Sequence, residues 1–174
     1  MRARLGILAI ATLTLAACGS TSTSSTTSDS TSGASTQPSS SASVAASSAT
    51  FDQAFDLGGA SVTISSPKSF TPGAYASNFM PGQVAELLTV DIANKGTSPL
   101  DMTTILLSAT SGQNGCSDVL DGDNGINGAP TDPVAAGGHT TFKYGIACDG
   151  KVGDPLDLNV SFGNQSVDLT GKLA

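Results

Sequence analysis

The side chains in this chain that could do chemistry are three cysteines, one histidine and a set of aspartates. Cys116 and Cys148 lack the C-x-x-C spacing of a redox couple; as an even pair in an exported chain they are expected to form a structural disulfide. Asp118, Asp121 and Asp123 follow Cys116, and Asp149 and Asp154 follow Cys148, so that bond would draw them toward one acidic pole. Several carboxylate oxygens at close range suit a hard cation such as calcium. Counted from Asp121, however, the sixth and twelfth places hold Ile126 and Asp132, where a calcium loop needs glycine and glutamate. Aspartates also occupy turns because they bond nearby amides. Asp118, Asp121, Asp123 and Asp149 are thus the only candidate metal ligands, calcium is the only candidate cofactor, and solvated turn residues are the competing reading. Asp121 and Asp123 would also be the paired carboxylates of a polymer hydrolase. His139 has neither a G-x-S-x-G nor an H-E-x-x-H companion and reads as a solvent-facing residue at a strand end.

The remaining cysteine has a different setting. Arg2 and Arg4 precede an apolar run from Leu5 to Leu15 broken only by Gly6, Thr12 and Thr14, and small residues lead directly into Cys18. This is a secretion signal, too short for the roughly 20 apolar residues of a membrane span. The four residues Leu15-Ala16-Ala17-Cys18 resemble the lipobox of bacterial lipoproteins. The resemblance implies that the Cys18 thiol receives a diacylglyceryl group and that residues 1–17 are removed. Two or three acyl chains, at about 0.8 kcal/mol per buried methylene, would hold the mature chain on a membrane.

Composition narrows what such a chain could touch. Without Arg2 and Arg4, five lysines face fourteen carboxylates, a formal charge of −9. A chain so acidic, with no basic patch, is not built for nucleic acid or for anionic lipid heads. Residues 18–50 contain the lipidation site and then a tract with 21 Ser or Thr among the 31 residues from Ser20 to Thr50. That tract cannot bury enough apolar surface to offset its ordering entropy, and is expected to be a disordered tether open to O-glycosylation. One domain, 51–174, follows.

Within that domain apolar residues alternate with polar ones, the period of half-buried strands. Gly58-Gly59 should turn a hairpin that sets Phe55 opposite Val62. Ser69 to Gly82 reads as a long loop. Val84 to Asn94 is the strongest strand, with Leu88, Val90 and Ile92 on one face, and should be central. Thr103 to Thr110 offers Ile105, Leu107 and Ala109 as the next inward face. Between Cys116 and Pro133 only Val119 and Leu120 look buried. His139 to Cys148 places Phe142, Tyr144, Ile146 and Cys148 in one row. Gly163-Asn164 should close a hairpin with Val160 opposite Val167 and Leu158 opposite Leu169.

These strands predict an all-β, immunoglobulin-like β-sandwich of seven to eight antiparallel strands. The runs from Val62 to Pro67 and from Leu88 to Gly96, then Pro99-Leu100-Asp101, Pro133 to Gly138 and Phe142-Lys143-Tyr144, resemble the immunoglobulin-like domain of unknown function of Gram-positive, actinobacterial-type lipoproteins. They resemble, more distantly, the immunoprotective extracellular proteins of mycobacteria. The resemblance implies a fold and a cell-envelope location and brings no catalytic residue with it. The expected role is a non-enzymatic surface module, anchored on the outer face of the cell membrane, that binds an envelope protein, glycan or lipid. A carrier would instead need a cavity lined by Leu88, Val90, Phe142 or Leu158, and a hydrolase an acidic cleft.

Overall fold

The structure, a computed structural model, describes residues 47–174. The signal, Cys18 and the tether as far as residue 46 lie outside the described residues. In chain order the strands are β1 (Ser47–Ala49), β2 (Ala54–Leu57), β3 (Ala60–Ile64), β4 (Lys68–Ser69), β5 (Val84–Asn94), β6 (Ile105–Ser111), β7 (Asn114–Gly115), β8 (Ser117–Val119), β9 (His139–Cys148), β10 (Pro155–Phe162) and β11 (Gln165–Lys172). Seven of them have four or more residues. One sheet is ordered β1-β11-β10-β6-β7 and the other β2-β3-β5-β9-β8, with β4 also on β5. The order β3-β5-β9-β8 against β6-β10-β11 is the strand arrangement of an immunoglobulin constant-type sandwich.

Alternation explains which faces meet. Leu88, Val90 and Ile92 of β5 and Leu156, Leu158 and Val160 of β10 are fully buried between the sheets, each removal from water contributing roughly 1.5–3 kcal/mol. Both expected hairpin registers are present: Phe55 faces Val62, and Val160 faces Val167 and Leu158 faces Leu169. Gly58 and Gly59 have φ of 62° and 85°, the two left-handed positions a twisted two-residue hairpin demands. A side chain at Gly58 would also collide with the Phe162 ring.

Asn94 ends β5 as a pin between loops. Its buried amide donates to Ser98 O, Val134 O and Ala135 O at 2.8, 2.9 and 3.1 Å, and its Oδ1 accepts Gly96 N–H at 2.9 Å. Asp101 does a smaller version of this, accepting Thr103 N–H at 3.0 Å to start a single 3-10 turn. Two residues of the family-like motifs therefore hold backbone in place.

The structure corrects three expectations. Ser47–Ala49 belong to the domain: β1 runs parallel to β11 with Ser47, Ser48 and Ala49 beside Val167, Asp168 and Leu169. Lys68–Ser69 extend the line of β3 along β5 and are not loop. Between Cys116 and Pro133 the buried residues are Val119, Asp121 and Ile126, while Leu120 is 46 % exposed. Pairing of Val119 with Gly145 fixes that parity: Val119 shares the outer face of β9 with Gly145, where the following loop covers it, so its neighbour Leu120 takes the opposite direction.

Candidate functional site

The excursion from Cys116 to Val134 gathers the singular residues of the domain. Cys116 and Cys148 are bonded, with S–S 2.06 Å and Cα–Cα 4.3 Å, tying the start of the excursion to the end of β9. On the chain-entropy account, closing a loop of this length stabilises by roughly 3–4 kcal/mol. The excursion then lies over the outer side of β9, burying Gly145 and Ala147 as well as the core-facing row. Gly145 is the point of contact: a Cβ there would lie 3.1 Å from both Ile126 Cδ1 and Val119 O, so only a strand glycine admits the layer.

The acidic pole is not assembled. Among the described residues no three His, Cys, Asp or Glu side chains gather to hold a metal ion. The topology explains this, because β8 runs antiparallel to β9 with Asp118 opposite Ile146; Asp118 therefore travels away from Asp149 after the disulfide. Asp118 instead accepts the Tyr144 hydroxyl. Asp121 accepts Gly73 N–H at 2.7 Å and the Asn124 amide at 2.7 Å. Those two bonds, Gly73 first, hold its carboxyl below the usual carboxylate range, since they favour the charged form. Residues 121 and 126 close the small loop on itself through reciprocal backbone bonds of 2.8 Å. Asp123 is exposed, with its carboxylate also against Gly73. Asp149 accepts from Gln83 Nε2 at 3.1 Å and Asp154 from Lys151 N–H at 2.8 Å. His139 is exposed at the first position of β9, opposite Ala93.

The excursion and β6 together wall a pocket of about 160 Å³, whose lining includes Leu106, Leu107, Asp118, Leu120, Ile126 and Tyr144. Tyr144 is a buried part of that lining. Its hydroxyl also lies 3.3 Å from Leu107 O. Burial first, and the Asp118 carboxylate second, push the phenol's ionisation well above its ordinary value; it stays a neutral donor. Leu106 is 66 % exposed, so the lips of the pocket are apolar. The alternation of β6 identified its inward residues, but the Tyr144–Asp118 pair and the leucine lips depend on how the excursion folds back.

A second, shallow recess of about 420 Å³ lies on the outer face of β6, β10 and β11, among Ser108, Thr110, Asp157, Asn159, Asp168 and Thr170. Its one internal tie joins Asn159 Nδ2 to Asp168 Oδ1 at 2.6 Å. Neither recess is lined by Leu88, Val90, Phe142 or Leu158. Leu88, Val90 and Leu158 are fully packed and Phe142 is half-buried against the same core.

At the far end of β5, Glu86 is buried, accepting Ala174 N–H at 2.7 Å through Oε1. Its Oε2 has no partner. Burial raises its pKa, because a carboxylate is costly away from water. Nothing in the alternation of β5 marks this residue, since it occupies an inward place that any apolar residue could fill.

No family model and no curated protein matches the chain. Among solved structures, a candidate lipoprotein of Bacillus subtilis superposes with a TM-score of 0.57 at 19 % identity, over 69 % of this chain and 38 % of that one. The chain thus spans well under half the length of that protein. An uncharacterised β-sandwich protein of Clostridium difficile gives 0.47 at 12 % identity, over 72 % and 95 %. At 19 % identity the likeness to the Bacillus subtilis protein is one of fold alone, and the two sheets of this domain form a β-sandwich.

Proposed function

We propose that the chain is a lipid-anchored, non-enzymatic binding module of a bacterial envelope. The observation that carries this reading is the order of parts: Leu15-Ala16-Ala17-Cys18, then a Ser/Thr tract free of large apolar residues, then a sandwich whose first strand is Ser47–Ala49. Acylated Cys18 holds the outer leaflet of the cell membrane. A tether of some 30 residues, with a root-mean-square span of roughly 30 Å, lets the domain sample the layer outside it. Among the described residues no helix is long and apolar enough to cross a membrane, and in this reading attachment rests on the lipid. The binding role draws support from the pocket beside β6. Its volume of about 160 Å³ is below the roughly 300–1,000 Å³ of ligand pockets, which suits one side chain better than a carried lipid.

The test is the fate of Cys18. Native protein should begin at that residue, carry the mass of a diacylglyceryl group, and partition into detergent; Cys18→Ser should move it to the aqueous phase. An unmodified thiol, or a mature chain that begins elsewhere, would refute the reading.

A further inference from the structure

We propose that the β6 margin is a docking site for an extended polypeptide segment that pairs with β6 and places an apolar side chain, flanked by a lysine or arginine, in the Tyr144 pocket. This rests on the reading of the domain as a binding module and names the chemistry of its partner. The first observation is the strand itself. Pairing with β10 runs the length of Ile105–Thr110, but on the other side β7 meets only Thr110 and Ser111. Cys116 N–H donates to Ala109 O at 2.9 Å and the Tyr144 hydroxyl approaches Leu107 O, so the odd-numbered residues aim their main-chain groups away from β10. Ile105 N–H turns back to Met102 O. Leu107 N–H has no partner among the described residues. An unpaired strand edge is a template for another strand, and natural sandwiches usually blunt it with charge, proline or a bulge. None of those stands between Ile105 and Ala109.

The second observation is what borders that edge. Exposed Leu106 and Leu120 flank an apolar pocket sized for a single side chain. Strand addition takes affinity from main-chain bonds and specificity from such a pocket.

Charge selects the occupant. Asp118 is an exposed residue of the pocket lining and accepts the Tyr144 hydroxyl through Oδ1, which leaves its other oxygen for an ammonium or guanidinium. The chain carries a formal charge of −7, so a basic segment is favoured over a second copy of the same acidic protein. The chain's own tether is unsuited: residues 20–46 contain no lysine or arginine and no apolar side chain larger than Val44.

The experiment is selection of a random peptide library displayed on phage against the full chain in detergent. Leu106→Asp is selected in parallel, its fold checked by circular dichroism. Enriched peptides should share an apolar residue beside Lys or Arg in a segment free of proline. A synthetic peptide of that consensus should bind Leu106→Asp at least about tenfold more weakly and Asp118→Asn about two- to fivefold more weakly, and should shift the Leu107 amide resonance. No enrichment, equal binding to Leu106→Asp, or an unmoved Leu107 amide would overturn the proposal. So would a concentration-dependent dimer that Leu106→Asp dissolves, which would give the edge to a second copy. Any of these, found while Cys18 carries its lipid, leaves the anchored-module reading standing.

Discussion

The two margins of the sheet β1-β11-β10-β6-β7 end in opposite ways. At one, three residues of Ser-Ser-Ala lie parallel to β11 and cover its outer edge. At the other, β7 covers two residues of β6 and the chain departs into a disulfide-tied excursion that leaves an apolar pocket beside the uncovered part. The covered margin uses residues that bury almost nothing, so its closure is a matter of main-chain bonds. The open margin is surrounded by the most constrained features of the domain: a cross-link, a strand glycine under packed side chains, and a buried tyrosine bonded to a carboxylate. In the proposal above, this supported but unpaired edge is the docking surface.

Removing the cross-link should break this contrast most severely. Replacing both Cys116 and Cys148 by alanine is expected to cost about 3–4 kcal/mol, read as a lower urea midpoint, with amides of the excursion losing protection before those of β1 and β11. Gly145→Val acts at the same margin without touching the sulfurs. The new side chain meets Ile126 and Val119 O, and overpacking of this kind costs about 1–3 kcal/mol; the Tyr144 resonances should move as the pocket is displaced. At the covered margin, replacing Ser47–Ala49 by three glycines should cost only about 1–2 kcal/mol and leave Tyr144 unmoved. Equal responses of Tyr144 to the two changes would mean that the margins are not independent.

The smallest expected effect sharpens the contrast by lying outside both margins. Burial raises the Glu86 carboxyl above its ordinary range, so the folded state holds its proton more tightly than the unfolded chain. Its contribution is therefore fully present below about pH 4.5 and is lost as pH rises through the raised folded-state value. Glu86→Gln should remove that decline: the difference between variant and wild-type stability should grow from acid toward neutral pH, with the variant the more stable. Asp52, Asp101 and Asp121 are shifted the other way by hydrogen bonds and destabilise both proteins in acid, so the difference curve is the quantity to measure.

What was legible in the sequence follows the same division. β5 has the bounds its alternation predicts, and both glycine hairpins have the predicted registers, because period-two patterning and two-residue turns are local rules. The disulfide pairing is the one expected. β1 was illegible because a strand held by backbone bonds alone leaves no apolar pattern, and its serines read as tether. The excursion misled for a different reason. Counting aspartates near the disulfide suggested a pole, but the antiparallel course of β8 along β9 separates Asp118 from Asp149, and Asp121 is engaged by Gly73 from a loop 48 residues earlier. Leu120 is exposed because Val119 pairs with Gly145, and Ile126 is buried because it packs over that same glycine; both are long-range facts. Asn94 and Asp101, part of the family-like runs, prove to be pins for loops.

Amide hydrogen exchange along β6 tests the central claim most directly, with no partner required. Leu106 and Ser108 direct their N–H groups to β10 and should exchange slowly, near the limit set by global unfolding. Leu107, between them, should exchange orders of magnitude faster. Protection of Leu107 equal to that of its two neighbours would show the edge already closed and contradict the account.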